Sequence, residues 1–191
     1  MVTLNRIYTR SGDAGLTRLA SGAQVSKADL RVWAVGEVDE TNACIGMARL
    51  HTERDEVLDP MLGRIQNELF DLGADLSTPL APDEQGARLR IVDSQVSRLE
   101  VEIDETNAAL PALASFVLPG GTPAAAALHL ARTVCRRAER SAVRFCDETG
   151  EALNGPALRY LNRLSDLLFV AARWANDRGR EEVFWVSGAT R

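Results

Sequence analysis

The sequence predicts an all-α protein, a five-helix bundle. Three observations lead there. Five long stretches place apolar residues at helical spacing. Strand-like composition is confined to one short stretch near the carboxyl end. Proline, glycine or capping side chains punctuate the junctions between the stretches.

The first helix is expected over 26–53, with Ser26 placed to cap it and Leu30, Trp33, Val38, Ile45 and Leu50 along it. The second covers 56–77, where Leu58, Met61, Leu62, Ile65, Leu69, Leu72 and Leu76 form one stripe. "STPLAPDEQGARLRI" (77–91) mixes proline, glycine and charge and reads as a loop. A third helix is expected over 93–109, with Asp93 as its cap and Val96, Leu99 and Ile103 facing inward. "PALASFVLPGG" (111–121) is a second irregular connection. Thr122 then caps, and Pro123 opens, a fourth helix that runs to residue 147. The fifth covers 156–178, with Gly179 ending it, and "EEVFWV" (181–186) is a β-prone tail. A short irregular loop precedes the bundle. The whole reads as one domain over 1–191, an amino-terminal segment 1–25 followed by a helical bundle over 26–179.

Composition narrows the function. The formal net charge is −5, which disfavours general nucleic-acid binding. Cys44, Cys135 and Cys146 are odd in number and lack a C-x-x-C pairing, so neither a disulfide framework nor a zinc site is expected. A reducing cytoplasm fits them best. The first seventeen residues hold no apolar run of the kind an export leader needs, and no stretch has the length to span a membrane.

Two stretches do not serve a core. In "YTRSGDAGLT" (8–17), Gly12 and Gly15 permit tight turns, Ser11 and Thr17 supply hydroxyls, and Arg10 with the following Arg18 supplies charge. These parts suit phosphate binding, although the P-loop pattern is absent and a plain polar arm has the same composition. In "ARTVCRRAER" (131–140), Arg132, Arg136, Glu139 and Arg140 share one helical face, while Leu128, Ala131, Cys135, Ala138 and Ala142 share another. A solvated face is the ordinary fate of a charge run. Here, however, like charges repel at i, i+4 spacing and Glu139 is the one acid among them. An anionic ligand or an acidic partner helix would relieve that repulsion, and arginine suits bidentate contact with phosphate.

On these residues the chain resembles the PduO-type ATP:cob(I)alamin adenosyltransferases, a family of corrinoid adenosyltransferases. The matching segments are "IYTRSGDAGLT" (7–17), "SKADLRVWAVGEVDETNACIG" (26–46), "FVLPGG" (116–121), "ARTVCRRAER" (131–140), "YLNRLSDLLFVAAR" (160–173) and "EVFW" (182–185), in order and nearly end to end. The resemblance implies a five-helix bundle assembled as a homotrimer, with active sites between subunits. It implies transfer of the 5′-deoxyadenosyl group of ATP to cobalt(I), giving adenosylcobalamin and triphosphate. Cobalt is itself the nucleophile, so no protein base is required. Neither His51 nor His129 has a triad or metal-ligand context: His51 reads as a surface residue and His129 as a packing residue.

The family's ATP-binding positions fall on Thr9, Arg10, Ser11, Gly12, Thr17 and Lys27, then on Arg136, Arg137, Glu139, Arg140 and Asn162, with Arg18 adding charge to the first group. The resemblance implies Phe116, Asp39, Arg132 and Arg136 as the catalytic residues. Glu139 would orient the arginines or reach Mg²⁺ through water. Phe116 matches the phenylalanine that closes the lower corrin face, displacing the axial base and leaving cobalt four-coordinate. Asp39 and Arg132 match a pair that joins neighbouring subunits and positions the corrin side. Arg10 stands where many members carry lysine, which keeps the charge and changes the donor geometry. A reductase and a B12-dependent acceptor enzyme are the implied transient partners. The other readings open to this scaffold are a different ATP-using transferase and a nucleotide-sensing or B12-delivery protein.

Overall fold

A computed structural model describes residues 7–81 and 88–191. The chain runs β1 (Leu16–Arg18), β2 (Gln24–Ser26), α1 (Leu30–Arg49), α2 (Leu58–Leu76), α3 (Asp93–Ala108), α4 (Pro123–Thr149) and α5 (Gly155–Ala175). The five expected helices are all present. α4 packs against both α1 and α5, α3 lies on α5, and α2 lies on α1 and touches α5. Part of the loop expected over 77–91, residues 82–87, lies outside the described residues, as do residues 1–6 of the amino-terminal segment.

The interior follows the apolar stripes. Leu62, Ile65, Leu69 and Leu72 of α2, Leu128, Ala131, Cys135, Ala138 and Ala142 of α4, and Leu161, Leu164, Leu167 and Leu168 of α5 are buried. The alanines on α4 let neighbouring helices approach its inner face closely. Two polar knots tie the bundle internally. The Tyr160 hydroxyl donates to Glu68, which also takes Arg64 at 2.7 Å. Asp75 accepts from Arg90, the Ile91 N–H and Asn154.

Several expectations need correction. The amino-terminal segment is not simply irregular: Leu16–Arg18 pairs antiparallel with Gln24–Ser26 in a small hairpin. Its turn closes with the Leu19 N–H on the Ala23 carbonyl and Gly22 at φ +85°. Ser26 does not cap α1, which starts four residues later at Leu30; its hydroxyl accepts from the Ala28 N–H at 3.1 Å instead. Asp29 caps the helix, its Oδ1 accepting from the Arg31 N–H at 2.8 Å. Trp33 and Leu50 lie outside the core, since the inward stripe of α1 is Ala34, Val38, Thr41, Ile45 and Ala48. Trp33 instead donates from Nε1 to Glu37 at 3.1 Å. Asp93 is the first residue of α3 rather than its cap, and the Gln95 side chain accepts from the Val92 N–H. α5 ends at Ala175, earlier than Gly179. Asp177 and Arg178 already stand at positive φ, and the Asn176 side chain turns away to the 120–122 corner. Thr122 and Pro123 open α4 as expected, and Gly150 in the left-handed conformation ends it.

The β-prone tail pairs with the 111–121 connection rather than with another strand. Val117 and Phe184 form a single antiparallel bridge.

Candidate functional site

The arginines of α4 differ in what they already hold. Arg137 is ion-paired with Glu37 and Glu40 of α1, which push its pKa further up. Arg144 pairs with Glu148 one turn on at 2.6 Å. Among the described residues, Arg132, Arg136 and Arg140 form no salt bridge with any carboxylate. Arg140 donates only to the Arg136 carbonyl, at 3.0 Å. Arg132 is half-buried, with its Nε lacking a partner. Burial first, then the charge of Arg136, lower its pKa. Three guanidinium groups are thus ranged along one face, none of them ion-paired with a carboxylate among the described residues.

Glu139 lies on that face, half-buried, and its Oε1 accepts from Asn162 Nδ2 at 2.9 Å. The bond joins the two α4 and α5 positions that the sequence singled out. Arg163, next along α5, donates to the same amide and to Glu100. A cleft of about 430 Å³ opens beside Glu139, Arg140 and Val143.

A second cleft, about 500 Å³, lies at the amino-terminal hairpin, lined by Ser11, Gly12, Leu16, Thr17, Arg18, Gln24 and Lys27. Five of these were expected from sequence; Leu16 and Gln24 were not, because only the hairpin register brings Gln24 opposite Arg18. Gly12 lets Lys27 approach closely: a Cβ there would sit 3.1 Å from Lys27 Nζ, so the lysine would have to shift. The Thr9 and Ser11 hydroxyls are 2.7 Å apart. Arg10 stands at φ +62°, a conformation that bulky side chains rarely adopt, and lies over the Tyr8 ring. The two clefts share no lining residue.

Phe116 is 78% exposed on the 111–121 loop, edge-on to Trp185 of the tail at 6.1 Å. Asp39 is exposed on α1 and makes no contact with Arg132 inside the chain. It borders an apolar groove lined by Val35, Leu69, Phe70 and Ala74. Sequence reasoning missed the surroundings of this loop: Trp185, the buried pair of Arg173 and Glu182, and Asn176. His129 is packed inside the bundle, as expected. The ring is fully enclosed beside Phe169, with neither nitrogen partnered, and burial and Arg132 lower its pKa while Glu182 opposes them. Burial raises the Cys135 and Cys44 thiols and keeps both unreactive.

Comparison with known proteins defines the class. The profile of the cobalamin adenosyltransferase family matches residues 7–175, and the chain belongs to that family. Over 190 residues it is 50% identical to the corrinoid adenosyltransferase of Mycobacterium tuberculosis, covering 100% of this chain and 97% of that protein. It is 42% identical over 176 residues to the corrinoid adenosyltransferase of Bacillus subtilis, covering 91% and 88% of the two chains. A variant PduO-type ATP:corrinoid adenosyltransferase from Lactobacillus reuteri, solved in complex with cobalamin and ATP, superposes with a TM-score of 0.85 at 40% identity, over 94% of this chain and 99% of that one.

Proposed function

We infer that this chain is an ATP:corrinoid adenosyltransferase. It transfers the 5′-deoxyadenosyl group of ATP to the cobalt of a reduced corrinoid. The cobalt(I) electron pair attacks the ribose C5′, a cobalt–carbon bond forms, and the C5′–O bond breaks with its electrons passing to triphosphate. The observation that carries the assignment is the row Arg132, Arg136 and Arg140, free of ion pairs among the described residues of an acidic protein. Charge that grows on a departing triphosphate is best met by cations already in place.

In this reading Arg136 and Arg140 bind the triphosphate and Glu139 with Asn162 fixes their face. The amino-terminal segment 1–25 and Lys27 complete the nucleotide site through Thr9, Arg10, Ser11, Gly12, Thr17 and Arg18; Ser11, Gly12, Thr17, Arg18 and Lys27 line the hairpin cleft and Thr9 meets Ser11. Arg137 adds charge to the phosphate side while its carboxylate partners hold α1 against α4. A Mg²⁺ ion carried by ATP would meet Glu139, whose Oε1 already accepts from Asn162, through water; the ion would offset phosphate charge. Phe116 closes the lower face of the corrin and keeps the axial base away, easing reduction to cobalt(I).

The chain works as a homotrimer with its sites between subunits. Supporting this, Asp39 and Arg132 remain apart within one chain, and the nucleotide-binding residues divide between two clefts. Because cobalt(I) must be generated and the product handed on, a reductase and a B12-dependent acceptor enzyme are transient partners. Three free cysteines fit a cytoplasmic setting, and no helix among the described residues is long and apolar enough to cross a membrane.

The test is direct. Protein mixed with ATP and chemically reduced cob(I)alamin should yield the absorbance of a cobalt–carbon bond and an equal amount of triphosphate. ATP binding with no such bond would point instead to nucleotide sensing or cofactor delivery. Light scattering at assay concentration should give a trimer, and a fully active monomer would rule the divided site out.

A further inference from the structure

The loop that carries Phe116 is tied down at three places, and each tie runs to the carboxyl end of α5 or to the tail beyond it. At its start, the Pro111 carbonyl accepts from Arg173 Nη2 at 2.7 Å. At its middle, the Trp185 N–H donates to the Phe116 carbonyl at 2.7 Å and the Leu118 N–H to the Val183 carbonyl at 2.8 Å. The Ser115 hydroxyl also donates to the Trp185 carbonyl at 2.8 Å. At its end, Asn176 accepts from the Thr122 N–H at 2.9 Å and donates to the Gly120 carbonyl at 3.2 Å.

The tail in turn is held by Glu182, which accepts from Arg173 Nε at 2.6 Å. These two side chains are 2% and 0% exposed. One guanidinium therefore holds both the start of the loop and the tail that holds its middle. The tail approaches closely at Gly179, φ +77°, where a Cβ would lie 3.0 Å from Pro111 Cδ.

Stability alone gives little reason for this arrangement. A buried ion pair commonly gains little over an apolar pair of similar size. What it does supply is direction, because charge-assisted hydrogen bonds from a planar guanidinium fix the groups they join. Phe116 needs direction from its backbone, since its ring is largely exposed and the ring it meets, Trp185, belongs to the tail that the pair holds. We propose that Arg173 and Glu182 are positioning residues for the corrinoid side of the reaction: their buried pair fixes where Phe116 stands. The proposal rests on the reading of Phe116 as the ring that closes the lower corrin face.

The experiment compares cobalt(II) corrinoid bound with ATP in native protein, Glu182→Gln, Trp185→Pro and Phe116→Ala. Glu182→Gln keeps the size and removes the charge. Trp185→Pro removes both the N–H given to the Phe116 carbonyl and the ring that meets Phe116 edge-on, and leaves the buried pair intact; Phe184 before it is already extended, as proline prefers. Both should weaken the four-coordinate cobalt(II) signal and lower turnover from cobalt(II) about tenfold. ATP affinity, and turnover from pre-reduced cobalt(I), should stay within about twofold of native. A native signal in both variants, beside a lost signal in Phe116→Ala, would overturn the positioning role. A native signal in Phe116→Ala itself would overturn the reading of Phe116 and the proposal with it. Should Glu182→Gln not fold, Arg173→Lys, which keeps the charge and loses the fork that reaches both Glu182 and the Pro111 carbonyl, takes its place: a native signal overturns the proposal and a weakened one upholds it.

Discussion

The two segments outside the helices are built in opposite ways. The amino-terminal hairpin is held by short-range backbone bonds, its strands three residues each, and its candidate ligands face solvent. The 111–121 loop has little secondary structure, yet long-range bonds and a fully buried ion pair bolt it to α5. The first arrangement suits a flexible, highly charged ligand such as a triphosphate, which brings its own energy of organisation. The second suits an apolar ring that must resist a competing axial ligand and gains no charge–charge attraction from doing so.

Glycine substitutions should break this contrast most sharply. At Gly121, φ +99°, a Cβ would fall 2.0 Å from Asn176 Oδ1. Gly121→Ala should destabilise the protein by about 3 kcal/mol or more, combining backbone strain with a collision against buried structure, as a shift in urea midpoint would show. At Gly15, φ +78°, no atom lies within 4 Å of the added carbon. Gly15→Ala should cost about 1 kcal/mol, from backbone strain alone. Equal costs at both sites would contradict the difference in anchoring.

A smaller effect sharpens the phosphate side. Lys27→Met removes one cation from the hairpin cleft and keeps the chain length. ATP affinity should fall several-fold, about 1 kcal/mol, with the melting temperature unchanged. A change of melting temperature with native affinity would make Lys27 structural.

The smallest effect lies at His129. Its folded pKa is depressed, so below about pH 6.5 the unfolded chain takes up a proton that the folded protein refuses. Its contribution is complete above that pH and is lost as pH falls toward the folded value. The urea midpoint should therefore drop between pH 7.5 and pH 5.5, and His129→Gln should flatten the drop. An unchanged slope would mean that other groups set it.

The bundle was legible because its apolar residues recur at the helical period, and because Thr122–Pro123 is a strong start signal. Boundaries failed where two residues competed for one job. Ser26 and Asp29 both have capping chemistry, and the start of α1 at Leu30, just beyond the hairpin, gives the role to Asp29. The hairpin was hidden because strands of three residues leave no periodicity to read. The arginine row was visible as charge, but the sequence could not divide Arg137 from Arg136, since Glu37 and Glu40 lie a hundred positions away in chain order and adjacent in space. Arg173 and Glu182 escaped notice for the same reason: each is ordinary where it stands, and the role comes from the packing of α5 against loop and tail.

The central claim is that unpaired arginines on α4 stabilise a departing triphosphate, and one comparison tests it most directly. Native protein and folded Arg136→Ala are given saturating ATP and pre-reduced cob(I)alamin, and formation of the cobalt–carbon bond is followed by absorbance. The account predicts adenosylcobalamin from the native protein and a rate about a hundredfold lower from the variant, near 3 kcal/mol of lost transition-state stabilisation. Transfer at the native rate by Arg136→Ala, with the helix intact by circular dichroism, would contradict it.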